Sequence, residues 1–505
     1  MGAHAPGIAG MKPAVRGLAW ALLVLPWVYP FASGPSPSVE PWLVTLGACA
    51  LLGLLLSAMP GLRAEMPATI ASAWASAALL GTVMALLQYF GLSQLFAPWV
   101  PASTTGYAYG ALRQRNQFAT LTLLGVIALA VGVRLGARPR YLLPVALILV
   151  AGNAASASRT GALGLVLLCL APLVWPSWRR RSIVLLLLTC IVGYVAAAAS
   201  LPVLLVHWQG LEAPTVFERI AAAPGCGSRT ILWSNVVQLA MQKPWLGWGW
   251  GELDYAHYVT LYPGQRFCDI LDNAHLLPLH LAVELGLPAA ALIMLGLVGL
   301  VAIGAPWREA HPYRQMAWLV LAAIALHSLV EYPLWYGPFC LAVTASVAIL
   351  CMPPDMEPGA WQMRSPNVRA GLAALALLCV TLFASWDYWR ISQIYLPVEA
   401  RSPAYQSDPL AHARNSWLFH DQVQFAQLTT VRLTRDNAAS VAQLAEAMLH
   451  YSPEPRVIRL LVESLTLLGR DDEALLHLAR FRAAFPDDYA QWRGHVARPP
   501  GVTLP

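Results

Sequence analysis

Pro244-Trp245-Leu246-Gly247-Trp248-Gly249-Trp250-Gly251 sits inside a polar interruption from His207 to His275, and the rest of the chain is read from it. The interruption carries Arg219, Arg229, Lys243 and Arg266, together with Glu212, Glu218, Glu252, Asp254, Asp269 and Asp272. It closes on Asp272-Asn273-Ala274-His275, after which apolar text resumes. On both sides the sequence reads as membrane. A long polar loop between spans, basic at its start and ending in a histidine, is where chemistry is expected.

Charged residues make up only 11% of the chain and hydrophobic residues 58%, whereas a soluble domain has about 25% charged residues. The chain is therefore read as an all-α polytopic membrane protein. Its net charge of +6 is no sign of nucleic-acid binding, because the basic residues fall in short loops between apolar runs. A span needs roughly twenty apolar residues. Runs of that kind lie at 17–33, 41–59, 68–92, 117–135, 141–157, 160–176, 182–206, 276–304, 315–331, 334–352 and 368–389. Pro26 and Pro30 interrupt the first, and no clear cleavage site follows, so it reads as an uncleaved span rather than a signal peptide. With about eleven spans of this length, Lys12/Arg16, Arg63, Arg134/Arg138/Arg140, Arg179-Arg180-Arg181, Arg308/Arg314 and Arg364/Arg369 all fall on the N-terminal side. Positive loops mark the cytoplasm, which puts the large loop and the C-terminal tail on the opposite face.

Four regions follow: membrane helices over 1–206, the loop over 207–275, further membrane helices over 276–389, and a soluble tail over 390–505. In the tail, 438–450, 455–468 and 472–484 have amphipathic helical spacing. Pro453 and Pro486 stand near the tetratricopeptide period of about 34 residues, so the tail is expected to be a small helical domain of that character. Trp386-Asp387-Tyr388-Trp389 reads as an aromatic belt at a span end.

Polar clusters arrive on the non-cytoplasmic side at Arg113-Gln114-Arg115-Asn116-Gln117, Ser156-Ala157-Ser158-Arg159-Thr160-Gly161, Gly227-Ser228-Arg229-Thr230 and Asp272-Asn273-Ala274-His275. Arg159 is either a snorkelling interfacial arginine or part of a broken helix end facing a polar cavity, and its Ser, Thr and Gly neighbours favour the second. Guanidiniums gathered on one face would suit an anionic ligand, their planar forks matched to phosphate oxygens such as those of a lipid phosphate or diphosphate. His275 either caps an apolar helix or acts as a general base near neutral pH, with Asp272 and Asn273 orienting it. His327, Ser328, Glu331 and Tyr332 form a further cluster; His327 and Glu331 share a helix face as pocket lining or as a structural ion pair. Of the eight cysteines, Cys226 and Cys268 alone fall in the loop. A bridge between them and two free thiols both remain open. No Asp-x-Asp pair or glycine-rich phosphate loop is present, so neither a metal nor another cofactor is expected.

Five of these elements occur in a telling order: Arg115-Asn116-Gln117-Phe118-Ala119, Ser158-Arg159-Thr160-Gly161, Ser228-Arg229 with Trp233, Pro244-Trp245-Leu246-Gly247-Trp248-Gly249, and Asp272-Asn273-Ala274-His275 with Glu284-Leu285-Gly286-Leu287-Pro288. Together they resemble the bacterial superfamily of O-antigen ligases, O-antigen polymerases and protein O-oligosaccharyltransferases. The run His327-Ser328-Leu329-Val330-Glu331-Tyr332-Pro333 is similar to the protein-glycosylating branch. The resemblance implies an inner-membrane, metal-independent glycosyltransferase with a C-type membrane fold, taking a glycan from undecaprenyl diphosphate on the periplasmic side. It implies that Arg159 and Arg229 hold the diphosphate and that His275 activates the acceptor hydroxyl. Arg113, Arg115, Asn116, Gln117, Asp272, Asn273, His327, Glu331 and Tyr332 would line the substrate site. Where the family often has asparagine after the histidine, this chain has Leu276.

The expected acceptor is a periplasmic protein such as a pilin, with lipid A–core as the alternative. A transporter or flippase is the reading from another class. It would call for paired broken helices in two halves, whereas the polar groups here gather on one side around one loop.

Overall fold

Each apolar run is long enough to close its backbone hydrogen bonds internally, which in lipid leaves the α-helix as the open choice. The computed structural model describes residues 13–32, 34–221, 225–353 and 366–496, and all regular structure there is helical. Lys12 and Arg364, used above for orientation, lie outside the described residues, as do residues 497–505 of the tail. The first helices are α1 (Pro13–Val28), α2 (Val39–Ala58), α3 (Leu62–Tyr89), α4 (Arg115–Arg134), α5 (Pro139–Ala155), α6 (Arg159–Cys169), α7 (Arg181–Gln209) and the short α8 (Val216–Ala221). The loop holds α9 (Arg229–Gln242) and α10 (Leu253–Val259). Then come α11 (Leu277–Leu285), α12 (Leu287–Gly304), α13 (Pro312–Ser328), α14 (Gly337–Cys351) and α15 (Val368–Tyr395). The tail adds α16 (His420–Thr430), α17 (Ala438–Met448), α18 (Pro455–Leu467), α19 (Asp471–Ala484) and α20 (Pro486–Val496).

Among the described residues six helices are long and apolar enough to cross a membrane: Val39–Ala58, Leu62–Tyr89, Arg115–Arg134, Arg181–Gln209, Leu287–Arg308 and Val368–Tyr395. Shorter apolar helices lie at Pro13–Val28, Pro139–Ala155, Arg159–Val174 and Gly337–Cys351, and Pro312–Ser328 fills the run 315–331. The protein is an all-α, multi-pass membrane protein. One expected span is different from its reading: 276–304 is not a single helix, but α11 and α12 meeting at Gly286, whose φ of 88° ends the first.

Contacts divide the chain into two compact units, 1–222 with 301–385, and 223–300 with 386–505. In the first, α4 is the hub. It packs against α3, α5, α6 and α13, and 89% of its apolar window is buried, so its polar N-terminal turn must find partners inside the protein. In the second unit the tail builds its own core from Leu428, Val441, Leu461, Leu465 and Phe481, and Tyr258 of α10 inserts into it. Tyr258 Oη lies 2.9 Å from His477 Nδ1, and Arg480 Nε donates to Val259 O at 3.0 Å. The imidazole of His450 meets Glu252 at 2.7 Å and stacks on Tyr255. The turn after α18 uses Gly469 in the left-handed region, and Arg470 N closes back on Leu465 O at 2.9 Å, a helix stop that glycine makes inexpensive.

Trp386–Trp389 is more than an aromatic belt. Asp387 is buried, and its Oδ2 accepts hydrogen bonds from Ser416 Oγ, Trp417 N and Leu418 N. A carboxylate with three donors anchors the start of the tail to the end of α15.

Candidate functional site

In the first unit, the segment leading into α4 is shaped by one buried amide. Gln88 donates through Nε2 to Pro101 O and Gly110 O, and accepts at Oε1 from Tyr109 N and Gly110 N, at 2.8–3.1 Å. All four of its hydrogen-bonding positions are used. Arg113 follows with φ 58° and donates to Pro30 O at 2.9 Å. Gln114 caps α4 by accepting from Gln117 N at 2.7 Å, and the Arg115 guanidinium lies 4.8 Å over the Tyr107 ring.

Asn116 joins three elements. Its Nδ2 donates to Glu331 Oε1 at 2.9 Å, and its Oδ1 accepts from Ser158 Oγ at 2.6 Å. Ser158 in turn caps α6 by accepting from Gly161 N at 3.1 Å. The N-termini of α4 and α6 therefore converge, and both carry the partial positive charge of a helix start. Gly161 has no room for a side chain: a Cβ there would clash with Asn153 Oδ1 and stand 2.7 Å from Ala119 Cβ. Ala157 is held at φ 48°, an uncommon conformation for a residue with a Cβ.

Arg219, at the end of α8, donates through Nη1 to Ala157 O at 2.8 Å. Burial lowers its pKa first; Arg115 and Arg159 push it further down, while Tyr107 and Glu331 act against them. Arg219 thus stands among Arg115 and Arg159, with Glu331 as the nearby carboxylate. His327 and Glu331 each reach a partner on α4: His327 Nδ1 lies 2.8 Å from Thr120 Oγ1, and Glu331 holds Asn116. Tyr332 stands beside Tyr336, ring centroids 6.1 Å apart. Gln117 is fully buried, and its amide meets no hydrogen-bonding partner among the described residues.

In the second unit α9 is the scaffold. Ser228 caps it through Ile231 N at 3.4 Å, so Arg229 opens its first turn. Cys226 and Cys268 are joined by a disulfide, Cα atoms 5.5 Å apart. From the same helix, Trp233 Nε1 donates to Ala274 O at 3.0 Å, and Asn235 pairs with Gln265 O and Phe267 N at 3.0 and 2.8 Å. One helix therefore positions both Arg229 and the segment ending in His275. The histidine does not start a helix, as the sequence suggested. It stands at φ 50° with its backbone N donating to Asn273 Oδ1 at 2.8 Å. Leu276 occupies the cap, and Pro278 lies in the first turn of α11. Asp272, on the near side of Asn273, interacts electrostatically with His275.

The glycine-and-tryptophan run and the Glu284–Leu287 turn clasp one another backbone to backbone. Trp248 N donates to Val283 O at 2.9 Å, Gly249 N to Glu284 O at 3.0 Å, and Leu287 N to Pro244 O at 2.8 Å. Gly247 and Gly286 both have positive φ; a Cβ on either would clash with the carbonyl of the opposite strand of chain, Glu284 O or Trp245 O. Two of the motifs read separately in the sequence are one structural element.

Of the residues expected to bind substrate, Arg113, Arg115, Asn116, Gln117, Arg159, His327, Glu331 and Tyr332 fall in the first unit; Arg229, Asp272, Asn273 and His275 fall in the second. Arg219 was missed as a site residue. A loop arginine is usually solvated, and nothing in its neighbours announces the hydrogen bond to Ala157. Among the described residues, no three His, Cys, Asp or Glu side chains gather as a metal ion would require.

Three family models match the chain: one described as O-antigen ligase over residues 144–294, one as virulence factor membrane-bound polymerase, C-terminal, over 315–499, and one as protein glycosylation ligase over 108–131. These matches support a likeness to the superfamily of O-antigen ligases, O-antigen polymerases and protein O-oligosaccharyltransferases, close to the O-oligosaccharyltransferase branch. A general O-oligosaccharyltransferase of Acinetobacter baylyi (strain ATCC 33305 / BD413 / ADP1) is 27% identical over 311 residues, covering 58% of this chain and 52% of that relative. The match thus spans about half the length of the relative.

Proposed function

We propose that the protein is a periplasm-facing O-oligosaccharyltransferase of the bacterial inner membrane, moving a glycan en bloc from undecaprenyl diphosphate to Ser or Thr hydroxyls of periplasmic proteins. The observation that carries this reading is the group Arg115, Arg159 and Arg219 around the converging N-termini of α4 and α6. Three guanidiniums beside one carboxylate leave a surplus of positive charge, which suits a diphosphate leaving group. Glycosyl transfer from such a donor needs stabilisation of the departing anion above all.

In the proposed step, the acceptor oxygen bonds to the anomeric carbon while the bond from that carbon to the diphosphate oxygen breaks. His275 takes the acceptor's proton, and undecaprenyl diphosphate leaves with the bonding electron pair. By resemblance, Arg159 and Arg229 are assigned to the diphosphate; Arg115 and Arg219 add to the charge around Arg159. The arginines take the part that a metal plays in cation-dependent transferases. A chelator is therefore expected to leave turnover intact, and a loss restored by a divalent ion would refute metal-independent transfer.

A protein acceptor is favoured by the tail, whose helical hairpins pack directly on α10 of the loop and offer the kind of surface that binds extended peptides. The match of 144–294 to the O-antigen ligase model, longer than that of 108–131 to the protein glycosylation ligase model, favours the second reading, transfer to lipid A–core. Co-expression with a lipid-linked glycan pathway and a candidate pilin separates the two by mass spectrometry: glycosylated Ser or Thr supports the first, glycan on lipid A–core alone supports the second.

A further inference from the structure

The turn Ala157-Ser158-Arg159 is gripped from two sides, and neither grip is made by a residue assigned above to holding the leaving group directly. On one side Glu331 holds Asn116 at 2.9 Å, and Asn116 holds Ser158 Oγ at 2.6 Å. Glu331 and Ser158 are buried, so this relay runs out of bulk water, where a lost partner leaves an unsatisfied polar group behind. On the other side Arg219 Nη1 donates to Ala157 O at 2.8 Å. Between the grips Ala157 stands at φ 48°, a conformation that persists only where the surroundings enforce it. A guanidinium has five donors; the bond to Ala157 uses one face of Arg219, among cations that would otherwise repel it.

We infer that Arg219 is a third phosphate-binding arginine and that Glu331 is a positioning residue, the two together fixing the turn that presents Arg159 to the donor diphosphate. Arg219 both props the turn and adds charge, whereas Glu331 acts through its hydrogen bond to Asn116. This rests on the reading of the arginine group as a diphosphate site.

The two roles separate by substitution. Glu331→Gln keeps an acceptor for Asn116 Nδ2 and removes the charge; Glu331→Ala removes both. Arg219→Lys keeps a charge and loses the planar fork; Arg219→Ala loses both. The probes are glycan-free undecaprenyl diphosphate and undecaprenyl monophosphate, titrated against the purified full-length protein in detergent and followed by its tryptophan fluorescence. Thermal melting of each variant serves as the folding control.

Wild type is expected to bind the diphosphate more tightly than the monophosphate. Arg219→Ala should weaken diphosphate binding about tenfold, the scale of one charge-assisted hydrogen bond, and narrow the preference; Arg219→Lys should fall between. Glu331→Ala should weaken it by roughly fivefold, the scale of one positioning hydrogen bond, and Glu331→Gln should restore it. If Arg219→Ala melts far below wild type, Arg219→Lys decides: diphosphate binding equal to wild type overturns the assignment. Glu331→Gln as weak as Glu331→Ala would overturn the positioning role. A wild type that shows no preference for diphosphate removes the underlying reading, and this inference with it, whereas wild-type preference retained in Arg219→Ala removes this inference alone.

Discussion

The two units hold their polar residues by different means. Around the N-termini of α4 and α6, side chains do the holding: Gln88 on the entering loop, Asn116 between Glu331 and Ser158, and Arg219 on Ala157. In the loop, side-chain bonds from Trp233, Asn235 and Asn273 are joined by backbone and covalent links: the clasp of 244–249 with 283–287, and the Cys226–Cys268 bridge. The physical reason is location. Helices packed in the first unit offer rigid ends where a buried amide or hydroxyl can find a partner across an interface. The long polar segment has a small apolar core on α9, built from Leu232, Val236, Leu239, Phe267 and Leu271, and fixes the rest of its path by turns that only glycine fits, by a cross-link, and by docking on the tail. The first kind of site is sensitive to side-chain chemistry, the second to backbone shape.

The largest expected effect tests the second half of that contrast. Gly247→Ala or Gly286→Ala would force a Cβ into an opposing carbonyl at positive φ. Each should cost about 3–5 kcal/mol, the range of severe backbone and packing lesions, and expose the loop to limited proteolysis. A variant with wild-type protection would break the comparison. Next in size is the bridge. Cys226→Ser with Cys268→Ser should lower loop stability by roughly 3–4 kcal/mol in the chain-entropy model, read by the same digestion. In non-reduced, denatured wild type neither cysteine should take a thiol label.

The first unit should respond more mildly. Ser158→Ala removes a helix cap and a partner of Asn116, about 1–2 kcal/mol in melting. Asn116→Asp should be worse tolerated than its small change in shape suggests, because it sets a carboxylate against Glu331.

The smallest effect is a slope in pH. In the second unit burial raises Asp254 to about 7 and lowers His257 to about 3. A raised carboxylate favours the folded state at low pH, and that contribution is lost as pH rises from about 4 to about 7. The depressed histidine works the other way: its contribution is present above about 6.5 and is lost as pH falls toward about 3. The two slopes oppose each other over nearly the same window. Asp254→Asn removes the falling one, so its melting temperature should climb more steeply from pH 4 to pH 7 than that of wild type. Equal slopes would place Asp254 in water rather than in the interior.

Much of this architecture is legible in composition and period. The apolar runs mark the helices to within a few residues, and the amphipathic tail segments 438–450, 455–468 and 472–484 match α17, α18 and α19 closely. Three of the four non-glycine residues at positive φ among the described residues, Arg113, Ala157 and His275, fall in motifs singled out for their polarity. The motifs were readable because chemistry needs unusual residues in apolar text.

What escaped reading depends on partners far away in the chain. The break at Gly286 lies in a run read as one span, and it is the close approach of the Trp245 carbonyl that requires glycine there. The role of Asp387 comes from Ser416 to Leu418. His275 looked like a helix start because apolar residues follow it, but Leu276 takes the cap and the histidine is set apart at φ 50°. Arg219 gave no local sign at all.

The central claim is that arginines hold a lipid diphosphate while His275 activates a hydroxyl. Its most direct test is in vitro transfer of glycan from undecaprenyl diphosphate to an acceptor protein by purified wild type, His275→Ala and Arg159→Ala, scored by mass spectrometry of the acceptor. All three should purify and melt alike. Wild type should transfer, and both variants should fall by at least about a hundredfold, the scale of a lost general base or a lost electrostatic donor. His275→Ala turning over at the wild-type rate would contradict the account.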